Sequence, residues 1–232
     1  MSGANTYSLA HVPLLADLKP DELAKIERMC RWKSHDPQEQ IIDRQSESKD
    51  VFFIVSGDVR VIIHSLSGRE ITLDDLSEGS HFGELSALDD LPRTASVVAL
   101  DRTLVAALPQ RRFIDLLGQH PPIAFRVMRS MCRIIRASTD RIIELSTLGA
   151  NGRVHAELLR RALATMTFDN TAEIRPIPVH GDMAGRVGTT RETVARTMND
   201  LARRGIVERG KDVLKILDIE KLQDMVDEMR GD

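Results

Sequence analysis

A chain of 232 residues with 42% hydrophobic and 29% charged side chains can bury one large core or two modest ones. Its formal net charge of −3 gives the whole chain no attraction for polyanions, so a nucleic-acid partner needs a local basic surface. Cys30 and Cys132 match no metal spacing and fit packed thiols in a reducing cytoplasm, no run of about 18 apolar residues predicts a membrane span, and residues 1–10 lack the charged start and apolar run of a signal peptide.

Residues 13–32 read as short helical material. Leu14, Leu15, Leu18, Leu23 and Ile26 recur at helical spacing, and Pro20-Asp21 starts a new helix. Between residues 41 and 109 the character changes. Residues 51–55, 59–63, 71–73, 95–100 and 103–108 are strand-like. They are divided by Ser56-Gly57-Asp58, Ser67-Gly68 and Ser77-Glu78-Gly79-Ser80. Short strands separated by Gly, Ser and Asp predict an antiparallel barrel or sandwich.

Residues 112–148 read as helix, interrupted near Pro121-Pro122. Within it Ala124, Met128, Met131, Ile135, Ser138, Ile142 and Leu145 alternate spacings of four and three. That is the seam of a two-stranded coiled coil, and it also fits one helix packed on its own domain. Residues 149–152 break the helix and read as an interdomain hinge. Residues 154–166 form a further helix, and 167–178 a polar loop with an extended piece. His155 and Glu157 fit a solvated helix face.

Residues 182–187 form a short helix, and Gly188 turns the chain. Thr189 and Glu192 have capping-box spacing at the start of the next helix. Val194, Met198 and Leu201 form its buried stripe, and Gly205 ends it. Thr190, Arg191, Glu192 and Arg196 then stand on the first turns, where a recognition helix meets base edges. Arg pairs with guanine and Glu accepts from cytosine. Residues 206–214 read as a two-stranded wing turning at Gly210-Lys211. From residue 180 to 215 eight Lys/Arg face five Asp/Glu, a local excess of +3 that supplies the few cations a half-site needs.

Residues 82–95 carry an anion-binding pattern. Gly83 admits a close backbone approach, and its neighbours can present N–H donors. Arg93 offers a planar fork for two phosphate oxygens. Glu84 suits a ribose hydroxyl or the orientation of Arg93. Thr94 offers a hydroxyl, and Ala95 a main-chain N–H. The same residues fit a Gly-Glu turn with a surface arginine.

Phe-Gly-Glu-Leu at 82–85, Pro-Arg-Thr-Ala at 92–95, Gly-Arg-Val at 152–154 and Arg-Glu-Thr-Val at 191–194 occur in one order. Over residues 51–217 the chain resembles the CRP/FNR superfamily of bacterial regulators, in its cyclic-AMP-receptor branch. Within that branch it is similar to rhizobial Clr-type regulators that answer cyclic AMP and cyclic GMP. The resemblance implies an α+β fold. Residues 1–111 would be a cyclic-nucleotide-binding antiparallel β-barrel of jelly-roll type, 112–148 a long dimerisation helix, 149–152 a hinge, and 153–232 a winged helix-turn-helix. It implies that Gly83, Glu84, Leu85, Arg93 and Thr94 hold the ribose-phosphate, with Val61 and Leu73 on the base side. Ser138 and Thr139 would read the base, and Arg191, Glu192 and Arg196 a half-site like TGTGA. In relatives that accept cyclic GMP, a Thr at the place of Thr94 can bond the guanine amino group.

The expected molecule is a cytoplasmic homodimer on palindromic double-stranded DNA, with no metal, no membrane partner and no enzymatic activity. RNA polymerase is implied as a partner near residues 167–175, where this sequence departs from the family. The rival reading is a redox, haem or other small-molecule sensor of the same superfamily. His81 is the nearest haem ligand, and two distant cysteines cannot hold an iron–sulfur cluster.

Overall fold

The computed structural model describes residues 7–65, 68, 70–167 and 169–230. Ser67 of the expected turn and residues 1–6 lie outside them. The chain divides into two compact units, Met1–Ile134 and Ile135–Asp232.

In the first unit a 3-10 turn, Pro13–Leu15, precedes helix α1, Pro20–Met29. Pro20 sits where a helix needs no N–H donor, and Glu22 accepts from the Lys19 N–H at 2.9 Å. Trp32, expected on helical material, lies instead on strand β1, Arg31–His35. Its indole donates to the Glu27 carbonyl at 3.1 Å, which ties the strand to the end of α1.

Seven more strands follow: β2 (Gln40–Ile42), β3 (Val51–Ser56), β4 (Val59–His64), β5 (Glu70–Leu76), β6 (His81–Phe82), β7 (Ser96–Ala99) and β8 (Thr103–Leu108). A helix not expected from sequence, α2 (Glu84–Asp89), stands between β6 and β7. The strands form two four-stranded antiparallel sheets, ordered β1-β8-β3-β6 and β2-β7-β4-β5. First pairs with last, second with seventh, third with sixth and fourth with fifth. This nesting is the jelly roll that the family resemblance implied, and one form of the antiparallel barrel or sandwich expected from the strand pattern.

Alternation along β3 explains its burial on both faces. Phe52 and Ile54 join the core that includes Phe82 and Val97. Val51 and Phe53 face another, which helices α3 (Gln110–Gln119) and α4 (Pro121–Thr147) complete with Phe113, Leu116, Ile123 and Val127. The interruption near Pro121-Pro122 is the break at His120. Met131, placed on the dimer seam by its spacing, is half-buried against this same core. Phe125, Met128, Ile135, Ile142 and Leu145 of α4 are exposed. Cys132 is exposed as well, against the expectation of a packed thiol, because it points away from the Val127 side of the helix. Cys30 is buried, and its thiol is pushed up to about 12 by that burial and by Glu27.

In the second unit, helix α5 (Ala150–Ala164) begins at Gly149. Residues 150–152 therefore form its first turn. Leu148 packs in the core of this unit, with Val154, Leu158 and Leu201. Strand β9 (Ala172–Ile174) is the extended piece of the polar loop. Helices α6 (His180–Val187) and α7 (Arg191–Arg203) follow, then the hairpin β10 (Val207–Arg209) and β11 (Leu214–Ile216), and finally helix α8 (Ile219–Arg230). The sheet order is β10-β11-β9, and the wing turn is closed by Gly210 N–H to the Val213 carbonyl at 2.8 Å. Among the described residues no helix is long and apolar enough to cross a membrane.

Candidate anion cradle and nucleic-acid interface

Gly83, Glu84 and Arg93 converge in the first unit. Gly83 adopts φ +85° as the residue entering α2. A Cβ there would stand 2.7 Å from Arg93 Nη1 and 3.0 Å from the Asp50 carbonyl. Both the left-handed backbone and the contact require glycine. Arg93 is buried, and its guanidinium donates to the Gly83 and Asp50 carbonyls, each at 2.8 Å, and to Ser48 Oγ at 3.3 Å. It lies 5.9 Å from the centre of the Phe52 ring, which stacks on Phe82. Arg93 Nε is buried with no partner. An orphaned cationic donor beside a backbone turn that admits only glycine fits an anion such as a phosphate.

Glu84 is buried too. Burial pushes its carboxyl up, against the pull of its own N–H and of Arg93. Burial likewise lowers Arg93, against Asp50 and Glu84. In both groups desolvation outweighs attraction, so an incoming negative charge would relieve the arginine. Ser48 and Asp50 were missed from sequence. The hydrogen bond Arg93 makes to Asp50 goes to its carbonyl, which leaves no trace in residue type.

The other ribose-phosphate residues divide by exposure. Leu85 is half-buried, Ala95 buried and Thr94 exposed. Val61 packs partly against the Phe82 core. Pairing between β4 and β5 passes from Val61↔Asp74 to Ile62↔Thr72, so Leu73 is the extra residue of a β-bulge and stands exposed. Ser138 and Thr139 belong to the second unit, exposed on α4, where Thr139 Oγ1 donates back to the Ile135 carbonyl at 2.9 Å.

His81 is half-buried with its Nε2 unpartnered. Burial, then Arg133, lowers its pKa to about 4. His155 and Glu157 are both buried, which corrects the solvated face expected of them. The reason is packing on both sides of α5: Glu157 binds Arg161 at 2.8 Å and Arg160, and approaches Arg186 at 3.6 Å. Arg160 also pairs with Glu144 at the end of α4. Among the described residues no cluster of His, Cys, Asp or Glu could hold a metal ion.

In the second unit Gly188 takes φ +68°, so α6 can stop there and α7 start three residues later. The cap of α7 is Thr190, whose hydroxyl accepts from the Thr193 N–H at 3.2 Å. This moves the expected cap by one residue and puts Thr193 where a box needs Glu or Gln, because Thr189 is used up in the turn, its N–H bonded to the Ala184 carbonyl and its side chain buried. Val194, Met198 and Leu201 are buried, and Thr190, Arg191, Glu192 and Arg196 are exposed. The helix ends in a Schellman motif, with Ile206 N–H to Leu201 O and Gly205 N–H to Ala202 O, both 3.0 Å.

Asn151 of the segment read as a hinge, and Arg153 just beyond it, anchor this pair. Arg153 donates to the carbonyls of Leu148 at 2.8 Å, Val187 at 2.7 Å and Gly188 at 3.2 Å. Asn151 Oδ1 accepts from Thr197 Oγ1 of α7 at 3.0 Å. Neither residue was picked out for this role. The Gly-Arg-Val run was visible, but its three acceptors are carbonyls.

Comparison with known proteins agrees with both halves. Residues 32–120 match the cyclic nucleotide-binding domain, and residues 152–225 the Crp-like helix-turn-helix domain. The cyclic AMP receptor protein of Thermus thermophilus is 29% identical over 213 residues, covering 92% of this chain and 96% of that one. A CRP-like cAMP-activated global transcriptional regulator of Mycobacterium tuberculosis is 27% identical, again over 92% and 96%. The fold is that of a CooA variant from Carboxydothermus hydrogenoformans, with a TM-score of 0.80 at 22% identity, over 96% of this chain and 97% of that one.

Proposed function

The chain belongs to the CRP/FNR family of transcriptional regulators, with a cyclic nucleotide-binding domain and a Crp-like helix-turn-helix, and from that premise we propose a cytoplasmic homodimer whose DNA binding is switched by cyclic AMP and also by cyclic GMP. The family is one of regulators, not enzymes, so the problem is one of linked binding. The observation that carries the reading is Arg93, buried beside Gly83 with its Nε unpartnered.

In this reading the nucleotide phosphate meets Arg93 and the main chain around Gly83, Leu85, Thr94 and Ala95. Glu84 takes the ribose hydroxyl. Val61 and Leu73 flank the base, and Ser138 and Thr139 read it. Hydroxyls donate and accept equally well, so Ser138, Thr139 and Thr94 suit adenine and guanine alike. The nucleotide binds the DNA-competent dimer more tightly, and that difference in affinity sets the gain. Thr190, Arg191, Glu192 and Arg196 then read each half of a palindrome, with the two recognition helices one DNA turn apart, about 34–36 Å. RNA polymerase is met from the same unit, beside residues 167–175.

Calorimetric titration tests the ligand assignment. Both nucleotides are expected to bind the wild type. Arg93→Ala, still folded, is expected to lose about 1.5–3 kcal/mol, roughly ten- to a hundredfold in Kd. Unchanged affinity in that variant removes Arg93 from the site. Failure of cyclic GMP alone at high micromolar concentration leaves a cyclic-AMP receptor only.

A further inference from the structure

The Arg93 guanidinium carries more N–H donors than its protein partners use. Nη1 donates to the Gly83 carbonyl, and Nη2 donates both to the Asp50 carbonyl and to Ser48 Oγ. Nε is buried and has no partner. In the planar fork, the Nε hydrogen lies parallel to one hydrogen of Nη2, and the other Nη2 hydrogen lies parallel to one of Nη1. The Asp50 carbonyl stands 3.0 Å from the place of a Gly83 Cβ, so both carbonyls approach from the Gly83 side. Ser48 is left with the Nη2 hydrogen beside Nε. Its bond, at 3.3 Å against 2.8 Å for each carbonyl, is the longest of the three.

Ser48 lies on the segment between β2 and β3 and is exposed. Its neighbours hold that segment in place. Lys49 Nζ donates to the Asp90 carbonyl at 2.8 Å and pairs with the Asp90 carboxylate at the end of α2. The Asp50 carboxylate pairs with Arg31 of β1. The hydroxyl is therefore kept at the fork by contacts that do not involve it. Ser48 Oγ accepts from Arg93, and among the described residues its own proton has no acceptor.

We propose that Ser48 is a ligand of the nucleotide phosphate, its Oγ accepting from Arg93 Nη2 and donating to the phosphate oxygen that sits on Arg93 Nε. This role rests on the cyclic-nucleotide reading above and adds to it a side chain from outside the 82–95 cassette. Parallel N–H groups of one fork hold their acceptors side by side, within hydrogen-bond reach of each other. A carbonyl in the place of Ser48 would repel the phosphate oxygen. A hydroxyl accepts and donates at once, so the same closeness becomes a hydrogen bond. The buried, unpartnered Nε and the free Ser48 proton then point at one oxygen atom, and the other exocyclic oxygen is left to the main-chain N–H groups.

Calorimetry on the full-length protein tests this with three ligands: cyclic AMP and its two phosphorothioate diastereomers. Each diastereomer carries sulfur, the weaker acceptor, in place of one exocyclic oxygen. Ser48→Ala is expected to weaken cyclic AMP by about tenfold, the loss of one hydrogen bond to a charged group. It is expected to weaken one diastereomer much less than the other, because sulfur has already removed most of the contact in that one. The ratio of the two affinities should therefore shift by about the same tenfold. Ser48→Thr, which restores a hydroxyl, is expected to bind cyclic AMP within about twofold of the wild type and to keep its ratio. Unchanged cyclic-AMP affinity in Ser48→Ala overturns the proposal. An equal loss for all three ligands overturns it too, since Ser48 would then only prop Arg93. A wild type that binds none of the three defeats the cyclic-nucleotide reading itself, and the role of Ser48 falls with it.

Discussion

Gly83 shows how one residue can be fixed by backbone and neighbour together. Its φ of +85° disfavours any side chain, and its missing Cβ leaves room for Arg93 Nη1 at 2.7 Å. The left-handed conformation alone costs a non-glycine residue about 1–2 kcal/mol. Gly83→Ala should therefore stay folded with a melting temperature lowered by several degrees. It should also push the guanidinium off the Gly83 carbonyl and weaken cyclic-nucleotide binding by at least about tenfold. Calorimetry beside a thermal melt separates the two effects. A variant with a lower melting point and wild-type affinity would show that the close approach serves stability alone. At this scale the sequence was informative about Gly83, Glu84 and Arg93, since their residue types carry the chemistry. It was silent about the Asp50 carbonyl, which holds the same guanidinium at 2.8 Å. The cap fell one place off, on Thr189 instead of Thr190, because two adjacent threonines offer the same hydroxyl and only the turn decides between them.

At the scale of elements, periodicity made the strongest features readable. The strand β8 and the break at His120 were expected from sequence, as was the turn at Gly188. Strand β1 was not, because most of Arg31–His35 is exposed and polar and it pairs with β8 along one edge only. Helix α8 escaped notice although Leu222, Met225 and Val226 recur at helical spacing and are buried. The segment 149–152 reads as a linker because it is rich in glycine; its Asn151, with Arg153 just beyond it, also ties the start of α5 to the helix pair. Arg153 alone satisfies three carbonyls, two of them at the end of α6. Arg153→Met keeps the length of the stem and removes the donors. We expect it to lower stability by about 1–3 kcal/mol, the cost of leaving part-buried acceptors unpaired. Chemical denaturation followed by circular dichroism should show the loss, and DNA affinity should fall with it. Wild-type stability in that variant would mean that water replaces the guanidinium at all three oxygens.

For the whole molecule, the proposed homodimer turns on which face of α4 would meet a second chain. Phe125, Met128, Ile135 and Ile142 are between 48% and 64% exposed, an apolar stripe too long to leave in water. The seam read from spacing ran through Ala124, Met131 and Ser138, but Met131 is half-buried against its own core. Exposure favours a seam turned toward Phe125, Cys132 and Thr139, which share the same alternation of three and four with Met128, Ile135 and Ile142. The two registers predict different chemistry at Cys132. In the turned seam the two Cys132 thiols face each other across a parallel pair and should cross-link rapidly with a mild oxidant such as copper phenanthroline. In the original seam they flank the contact and should cross-link slowly. Cys30 is buried and does not compete. Ile135→Glu with Ile142→Glu should reduce the sedimenting mass from dimer to monomer in either register, since four carboxylates would be desolvated at one interface. A double variant that stays dimeric would take the interface off α4. Rapid Cys132 cross-linking in the wild type, lost in that double variant, would assign the turned seam, and would leave Thr139 closer than Ser138 to the dimer axis.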